Sequence, residues 1–108
     1  MTSPIIENFE KMLLAGRDGA LLRFGLGNEY FKMAEFNSAI LHFTQAVALD
    51  ADYSAAWKML GKALVESGRQ QDAIKAYANG IAAAEKKGDK QAAKEMAVFL
   101  KRLGGPAA

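Results

Sequence analysis

Apolar residues recur along this chain at the three- and four-residue spacing of one helical face. The first such run holds Ile5, Ile6, Phe9, Met12 and Leu13, and five further runs follow before the chain ends. No stretch alternates apolar and polar residues with the period of two that is typical of a half-buried strand. The pattern therefore predicts an all-α protein of about six helices.

Capping residues and glycines set the expected helix limits. Ser3 is a suitable N-cap for a first helix that begins at Pro4. Asp52 and Asp89 are expected to cap the fourth and sixth helices, and Gly88 to end the fifth. The second, third and fifth helices are expected over about residues 20–33, 37–49 and 71–87, and Gly104, Gly105 and Pro106 should terminate the sixth.

An aromatic ring recurs every 34 residues, at Phe9, Phe43 and Tyr77. Four further pairs keep the same step: Leu26 with Leu60, Gly27 with Gly61, Ala39 with Ala73 and Ile40 with Ile74. A fixed period of this length is the signature of an array built from one small unit. The chain is therefore expected to present a surface rather than an enclosed reaction site.

Two glycines of this array fall in the middle of expected helices. Glycine at such a position costs about 1 kcal/mol relative to alanine. We expect Gly27 and Gly61 to allow a close approach of the neighbouring helix, with the rings of Phe43 and Tyr77 filling the space. A large residue at Gly61 should then overpack the pair, at a cost of about 1–3 kcal/mol.

The segment Trp57-x2-Leu60-Gly61-x2-Leu64, followed by Gly68, Ala73 and Tyr77, resembles the tetratricopeptide repeat. An upstream copy reads Leu26-Gly27-x2-Tyr30, then Phe36, Ala39, Phe43 and Ala46. The chain departs from the usual repeat at four positions, which hold Arg23, Ala34, Ala51 and Leu64. The combined pattern over two copies is nevertheless specific.

This resemblance implies one domain, a right-handed superhelical stack of antiparallel helix pairs. Its expected parts are a half-unit at 3–15, full repeats at 20–53 and 54–87, a capping helix at 89–103 and a tail at 104–108. In the capping helix a strict 34-residue step would make Gln91 and Lys94 core residues. A shift of two places Met96 and Leu100 there instead, which predicts a lengthened loop over 87–90.

Composition removes most forms of chemistry. The chain has no cysteine, so disulfides, thiolate zinc sites and a cysteine nucleophile are all excluded. Its one histidine, His42, is expected to be solvated or partly packed at the surface rather than to act as a base or ligand. No nucleophile, base and orienting group form a recognisable set. The sequence therefore predicts a protein that is not an enzyme and that needs no cofactor or metal.

The N-terminal residues lack a basic start and a long apolar stretch, so no secretory signal is expected. No segment approaches the roughly 18 consecutive apolar residues of a membrane span. A cytoplasmic location, with no membrane partner, is the expectation.

Charge is distributed unevenly along the chain, because residues 1–54 hold four cations against seven anions and residues 55–108 hold ten against five.

The resemblance also implies that the first helix of each pair lines a concave groove. The groove residues expected here are Leu21, Phe24, Asn28, Phe31, Lys32, Lys58, Lys62, Lys94, Val98, Lys101 and Arg102, together with Ala55, Val65, Glu66 and Gln91. Six cations then face one anion. We expect a protein–protein interaction module whose groove binds an acidic and apolar segment of another protein. The alternative that these charges serve only solubility stays open.

Two other function classes compete with this interpretation. Leu21, Phe24 and Phe31 could form an apolar patch that pairs with a second copy, giving a homo-oligomer. Nucleic-acid binding is suggested by the basic C-terminal half, but it is weakened by the modest net charge and by few rings among the lysines. Some family members grip a C-terminal carboxylate; Asn28 matches that set, whereas Phe24 and Met59 do not, so chaperone-tail binding is not expected.

Overall fold

The computed structural model describes residues 3–105, which form six α-helices and, within that range, no strand. The helices are α1 (Pro4–Leu14), α2 (Ala20–Lys32), α3 (Phe36–Leu49), α4 (Ser54–Glu66), α5 (Gln70–Lys86) and α6 (Lys90–Arg102). The all-α prediction is confirmed, and the expected limits of α2, α3 and α5 differ from these by one residue. Pro106, expected to help terminate α6, lies outside the described residues.

Two of the three expected side-chain caps are present. Ser3 Oγ accepts a hydrogen bond from the Ile6 amide at 3.0 Å, and Asp89 Oδ1 accepts one from the Ala92 amide at 3.1 Å. The prediction for Asp52 is wrong, because Tyr53 occupies the N-cap of α4 and makes no side-chain capping bond. Asp52 lies one residue too early to reach the free amides, and it pairs with Lys86 instead, at 3.2 Å.

The helices pack in two layers. Connections of three to five residues join successive helices, each of which packs against the next along the chain. Contacts also join α2 to α4 and α4 to α6. These three helices therefore form one continuous layer, and its exposed side is called the inner face below. No helix within residues 3–105 has the length and apolar character needed to cross a membrane.

Glycine notches hold the helix pairs together. A Cβ atom added at Gly27 would overlap the ring of Phe43, and one at Gly61 would overlap the ring of Tyr77. Phe43 is fully buried and Tyr77 nearly so. The expected ring-in-notch contact is therefore confirmed in both pairs, and it explains why glycine is placed where it weakens the isolated helix.

A third notch, at Gly80, joins α5 to its neighbours on either side. A Cβ atom there would lie 2.5 Å from the sulfur of Met96 and 2.8 Å from Cβ of Trp57. The 34-residue period does not predict this contact, because Ala46 stands at the equivalent earlier position. Here an unbranched methionine side chain takes the place of the aromatic ring.

Phe9 makes a different contact from the two rings that share its register. Its half-buried ring faces Gly25 of α2, where an added Cβ atom would lie 3.0 Å from Cε2. Phe43 and Tyr77 each fill a notch on the helix that precedes their own. No described helix precedes α1, so the Phe9 ring packs forward onto α2.

The two-residue shift expected in the last helix is confirmed by burial. Met96 and Leu100 are buried, whereas Gln91 and Lys94 are exposed. The expected lengthened loop is wrong, since residues 87–89 and 67–69 are connections of equal length. The additional residues lengthen α5, which has 17 residues where α3 has 14. Helical extension satisfies their backbone hydrogen bonds internally, whereas a longer loop would not.

Candidate functional site

A cleft of about 440 Å³ opens on the inner face at its α6 end. It lies between helices of three successive pairs, and its floor reaches α5. Eight residues line it: Phe31 of α2; Lys62, Val65 and Glu66 of α4; Tyr77 of α5; and Phe99, Arg102 and Leu103 at α6 and its C-cap. Most of the lining is apolar, and the charged residues are Lys62 and Glu66 on α4 and Arg102 on α6.

Aromatic contacts fix the walls of this cleft. The rings of Tyr77 and Phe99 are 5.5 Å apart, and Phe31 meets Phe36 edge-on at 5.2 Å. Lys62 Nζ stands 5.5 Å from the centre of the Phe99 ring, within cation–π range. The ammonium group of Lys62 is therefore held beside an apolar surface.

Sequence reasoning missed Phe99 and Leu103 as members of this cleft. The signal was present, because Phe99 follows Met96 by three residues and precedes Leu103 by four. That spacing places all three on one side of α6. Matching the helix to the repeat consensus directed attention to Val98 and Lys101 instead.

Tyr77 supplies a neutral polar group to the floor of the cleft. Burial raises the pKa of Tyr77 to about 12, so its phenol stays protonated at neutral pH. Its hydroxyl makes no hydrogen bond with another residue of the 3–105 range. The hydroxyl is not fully buried, since every fully buried side-chain nitrogen or oxygen in that range has a partner. It is therefore available to a molecule bound in the cleft.

The structure brings together only some of the expected groove residues. Phe31, Lys62 and Arg102 line the cleft, with Val65 and Glu66 beside them. Lys58 lines a separate depression with Ala55 and Gln91, and Lys94 lines a third between α5 and α6. The remaining expected residues do not line the cleft: Leu21, Phe24, Asn28, Lys32, Val98 and Lys101.

The ring of Phe24 packs against other aromatic rings of this chain. Its ring lies 4.9 Å from that of Tyr53 and 5.9 Å from that of Phe43. Because the side chain is half-buried in this cluster, little of its apolar surface remains for a partner. Of the expected apolar groups on α2, Phe31 opens into the cleft and Leu21 is the most exposed, at 76%.

The six expected cations differ in their electrostatic surroundings. Lys32 pairs with Glu29 at 2.9 Å, and Lys58 lies 3.8 Å from Glu95. Within residues 3–105 no carboxylate lies within ion-pair distance of the remaining four: Lys62, Lys94, Lys101 and Arg102. Two of these four, Lys62 and Arg102, line the cleft.

Sequence comparison decides the family. The chain is 48% identical over 99 residues to the TPR repeat-containing protein PA0015 of Pseudomonas aeruginosa, an alignment that covers 92% of this chain and 94% of that protein. The chain belongs to the tetratricopeptide repeat family. Proteins of this family are generally protein-interaction modules and generally non-catalytic.

Solved structures agree with this assignment. Protein BPP2914 of Bordetella parapertussis superposes with a TM-score of 0.80 at 44% identity, covering 95% of this chain and 90% of that one. A tetratricopeptide repeat domain protein of Salinibacter ruber gives a TM-score of 0.74 at 28% identity, covering 80% and 87%. No protein-family model matches the chain.

A polar cluster joins the first three helices of this tetratricopeptide repeat protein. His42 lies at its centre, only 6% exposed, so the expectation of a surface histidine is wrong. Its ring stacks on Tyr30 at 5.4 Å, and Arg23 Nη1 donates to Nδ1 at 3.3 Å. Glu10 of α1 accepts a hydrogen bond from the Tyr30 hydroxyl at 3.3 Å. Tyr30 and Arg23 of α2 and Glu10 of α1 surround the histidine, and no periodicity within α3 could indicate this.

Protonation of His42 is expected to destabilise the protein. Burial, with the nearby Arg23 guanidinium, lowers the pKa of His42 below its usual value of about 6.5, although Glu10 and Asp18 oppose this. The unfolded chain therefore binds this proton first as pH falls. The stabilisation is complete above about pH 6.5 and is lost as pH falls below that value. Urea denaturation should show a lower free energy of unfolding at about pH 5.5 than at about pH 7.5.

The control for this prediction is His42→Gln, which removes the titrating ring. Its free energy of unfolding should vary less with pH over the same interval. Hydrogen bonds from Arg23 lower the pKa of Asp18, so the protonation of that carboxylate affects stability at lower pH. Equal pH slopes in the wild-type protein and the variant would contradict the assignment to His42.

Between residues 3 and 105, no three histidine, cysteine, aspartate or glutamate side chains form a group that could hold a metal ion. The chemistry on offer at the inner face consists of apolar contact, hydrogen bonding from the Tyr77 hydroxyl and attraction of anions by Lys62 and Arg102.

Proposed function

We propose that this chain is a non-enzymatic protein–protein interaction module that binds a segment of a partner protein on its inner face. The observation that carries the proposal is the open, mostly apolar cleft between α2, α4 and α6, with Lys62 and Arg102 beside it. Clefts of a few hundred Å³ with a few convergent polar groups are the usual form of a binding site. The general role of the family supports the same conclusion.

Electrostatics indicate which segments the inner face favours. Its unpaired cations attract carboxylates and accelerate encounter, whereas the apolar wall supplies the desolvated contacts that dominate affinity. Lys32 and Lys58 contribute less to that attraction, because Glu29 and Glu95 already neutralise them. An acidic and apolar segment therefore fits better than a basic one.

Affinity capture from the source lysate tests this function when it is run with matched charge reversals. Lys62→Glu changes the inner face, and Lys75→Glu makes the same change on an exposed position of α5 that does not line the cleft. We expect proteins recovered by the wild-type chain to be recovered by Lys75→Glu and lost by Lys62→Glu. Equal recovery by both variants would overturn the proposal.

A second candidate is self-association, favoured by two exposed leucines near the α1–α2 connection. Leu14 is 88% exposed and Leu21 is 76% exposed. Such side chains become buried if a second copy packs against this end. Sedimentation over a wide dilution range would show a mass that falls on dilution and that falls further in Leu21→Ser. A concentration-independent monomer would contradict this candidate.

A further inference from the structure

The cleft at the α6 end of the inner face has room for a single large side chain with some adjoining backbone. Its volume of about 440 Å³ is at the small end of the range for ligand pockets. Phe31, Val65 and Phe99 supply apolar walls from three different helices, and Leu103 borders one end. A leucine or phenylalanine side chain entering here would lose contact with water on several sides at once, which is the setting of an affinity hot spot.

The charge beside the cleft is unbalanced in favour of an anion. Lys62 lies over the Phe99 ring with no carboxylate in ion-pair range among residues 3–105, in contrast to Lys58 one turn earlier, which has Glu95. Arg102 adds a second cation on α6, and Glu66 is the one acidic residue among those that line the cleft. A carboxylate near Lys62 and Arg102 would thus be attracted, and an ammonium group at the same place would be repelled by two charges.

The apolar wall and the cations occupy the same cleft. The apolar side chain and the carboxylate that they favour must therefore be neighbouring groups of one ligand. Lys62 and Val65 are separated by one helical turn, and Phe99 and Arg102 by another. Val65 and Phe99 therefore each have a cation about 5 Å away along their own helix, which is close to the length of one or two residues of an extended peptide.

We infer that this cleft binds a partner segment through one leucine- or phenylalanine-sized side chain with an aspartate or glutamate one or two residues away. The apolar side chain contacts Phe31, Val65 and Phe99, and the carboxylate lies near Lys62 and Arg102. The inference rests on the proposed function and assigns that function to one subsite. It also moves the apolar anchor away from Phe24, whose ring is already packed against Tyr53 and Phe43.

Four capped peptides test the inference against the 15N-labelled protein. The first contains Leu-Asp within a Gly-Ser background, and the others replace the aspartate by lysine, the leucine by serine, or both. Amide shifts are expected at residues 62, 65, 99 and 102 with the first peptide. Each single replacement should weaken binding by about tenfold or more, the level of a hot-spot contact. Raising the salt concentration should weaken binding of the first peptide most.

Charge-reversal variants supply the matched comparison on the protein side. Arg102→Glu should abolish the advantage of Leu-Asp over Leu-Lys, whereas Lys94→Glu, on the same helix but outside the cleft, should leave it unchanged. Both side chains are exposed, so folding should be retained, and thermal unfolding checks this. Phe99→Ala removes part of the apolar wall and should weaken binding of the Leu-Asp peptide; because the Phe99 ring also packs on Tyr77, thermal unfolding checks that this variant stays folded.

These results test the assignment of binding to this cleft separately from the proposed function. Equal affinity for the four peptides, no binding of any peptide, or shifts centred on Phe24 and Asn28 would overturn the assignment to this cleft. The proposed function would then stand or fall on the capture experiment alone. Shifts at residues 62 and 99 that depend on protein concentration without peptide would assign the cleft to a second copy, and would likewise overturn the inference.

Discussion

Replacing Phe43 with alanine is expected to lower the free energy of unfolding by about 3–5 kcal/mol. Phe43 is the largest fully buried side chain of the described residues, and its ring fills the notch left by Gly27. The ring also lies 5.9 Å from that of Phe24. Because glycine offers no side chain that could move into the space, the cavity cannot collapse easily, and the cost should be near the upper end.

Urea denaturation monitored by circular dichroism measures this effect. Leu41→Ala, two residues away on the same helix, is the matched control, since Leu41 is 57% exposed. Its loss should change the free energy of unfolding by no more than about 0.5 kcal/mol. A similar cost for both variants would show that helix propensity, rather than the notch contact, determines the stability of α3.

Replacing Gly61 with leucine is expected to destabilise the protein by about 1–3 kcal/mol, although leucine forms helices better than glycine. Even a methyl group at this position would overlap the Tyr77 ring. The ring is nearly fully buried and packs against the ring of Phe99, so a shift toward the cleft would disrupt that contact. The steric cost therefore outweighs the gain in helix propensity.

Two further variants separate overlap from other effects of the substitution. Ala55→Leu adds an exposed leucine to the same helix and should change the free energy of unfolding by less than about 0.5 kcal/mol. In a double-mutant cycle with Tyr77→Ala, the leucine at position 61 gains space, so a coupling of about 0.5–3 kcal/mol is expected. Simple additivity of the two changes would contradict direct contact.

Helix placement and pair packing were predictable from the sequence because both depend on short, regular spacings. Ser3, Gly88 and Asp89 act within one helical turn, so their roles can be inferred without tertiary knowledge. The notches at Gly27 and Gly61 were also predictable, since an aromatic residue follows each of these glycines by 16 residues. Gly80 was missed because Ala46 stands one period earlier and because a methionine, rather than an aromatic ring, fills the notch.

The candidate site was predictable only in part. The repeat pattern identified the helices that line the inner face, and with them Phe31, Lys62 and Arg102. It did not identify Phe99 and Leu103, because matching the last helix to the repeat consensus selected Val98 and Lys101 as the groove residues. It also could not show that the Phe24 ring is used in the core.

The sequence by itself determined six helices, their order and the close contacts of Gly27 with Phe43 and of Gly61 with Tyr77, since periodicity and capping act over a few residues or one repeat. Only the tertiary structure decided which charges stay unpaired and which rings line a cleft. Glu95 neutralises Lys58 from another helix, and the docking of α1 helps to bury His42. Such pairings depend on distances between helices distant in sequence, and a spacing of 34 residues leaves those distances unspecified.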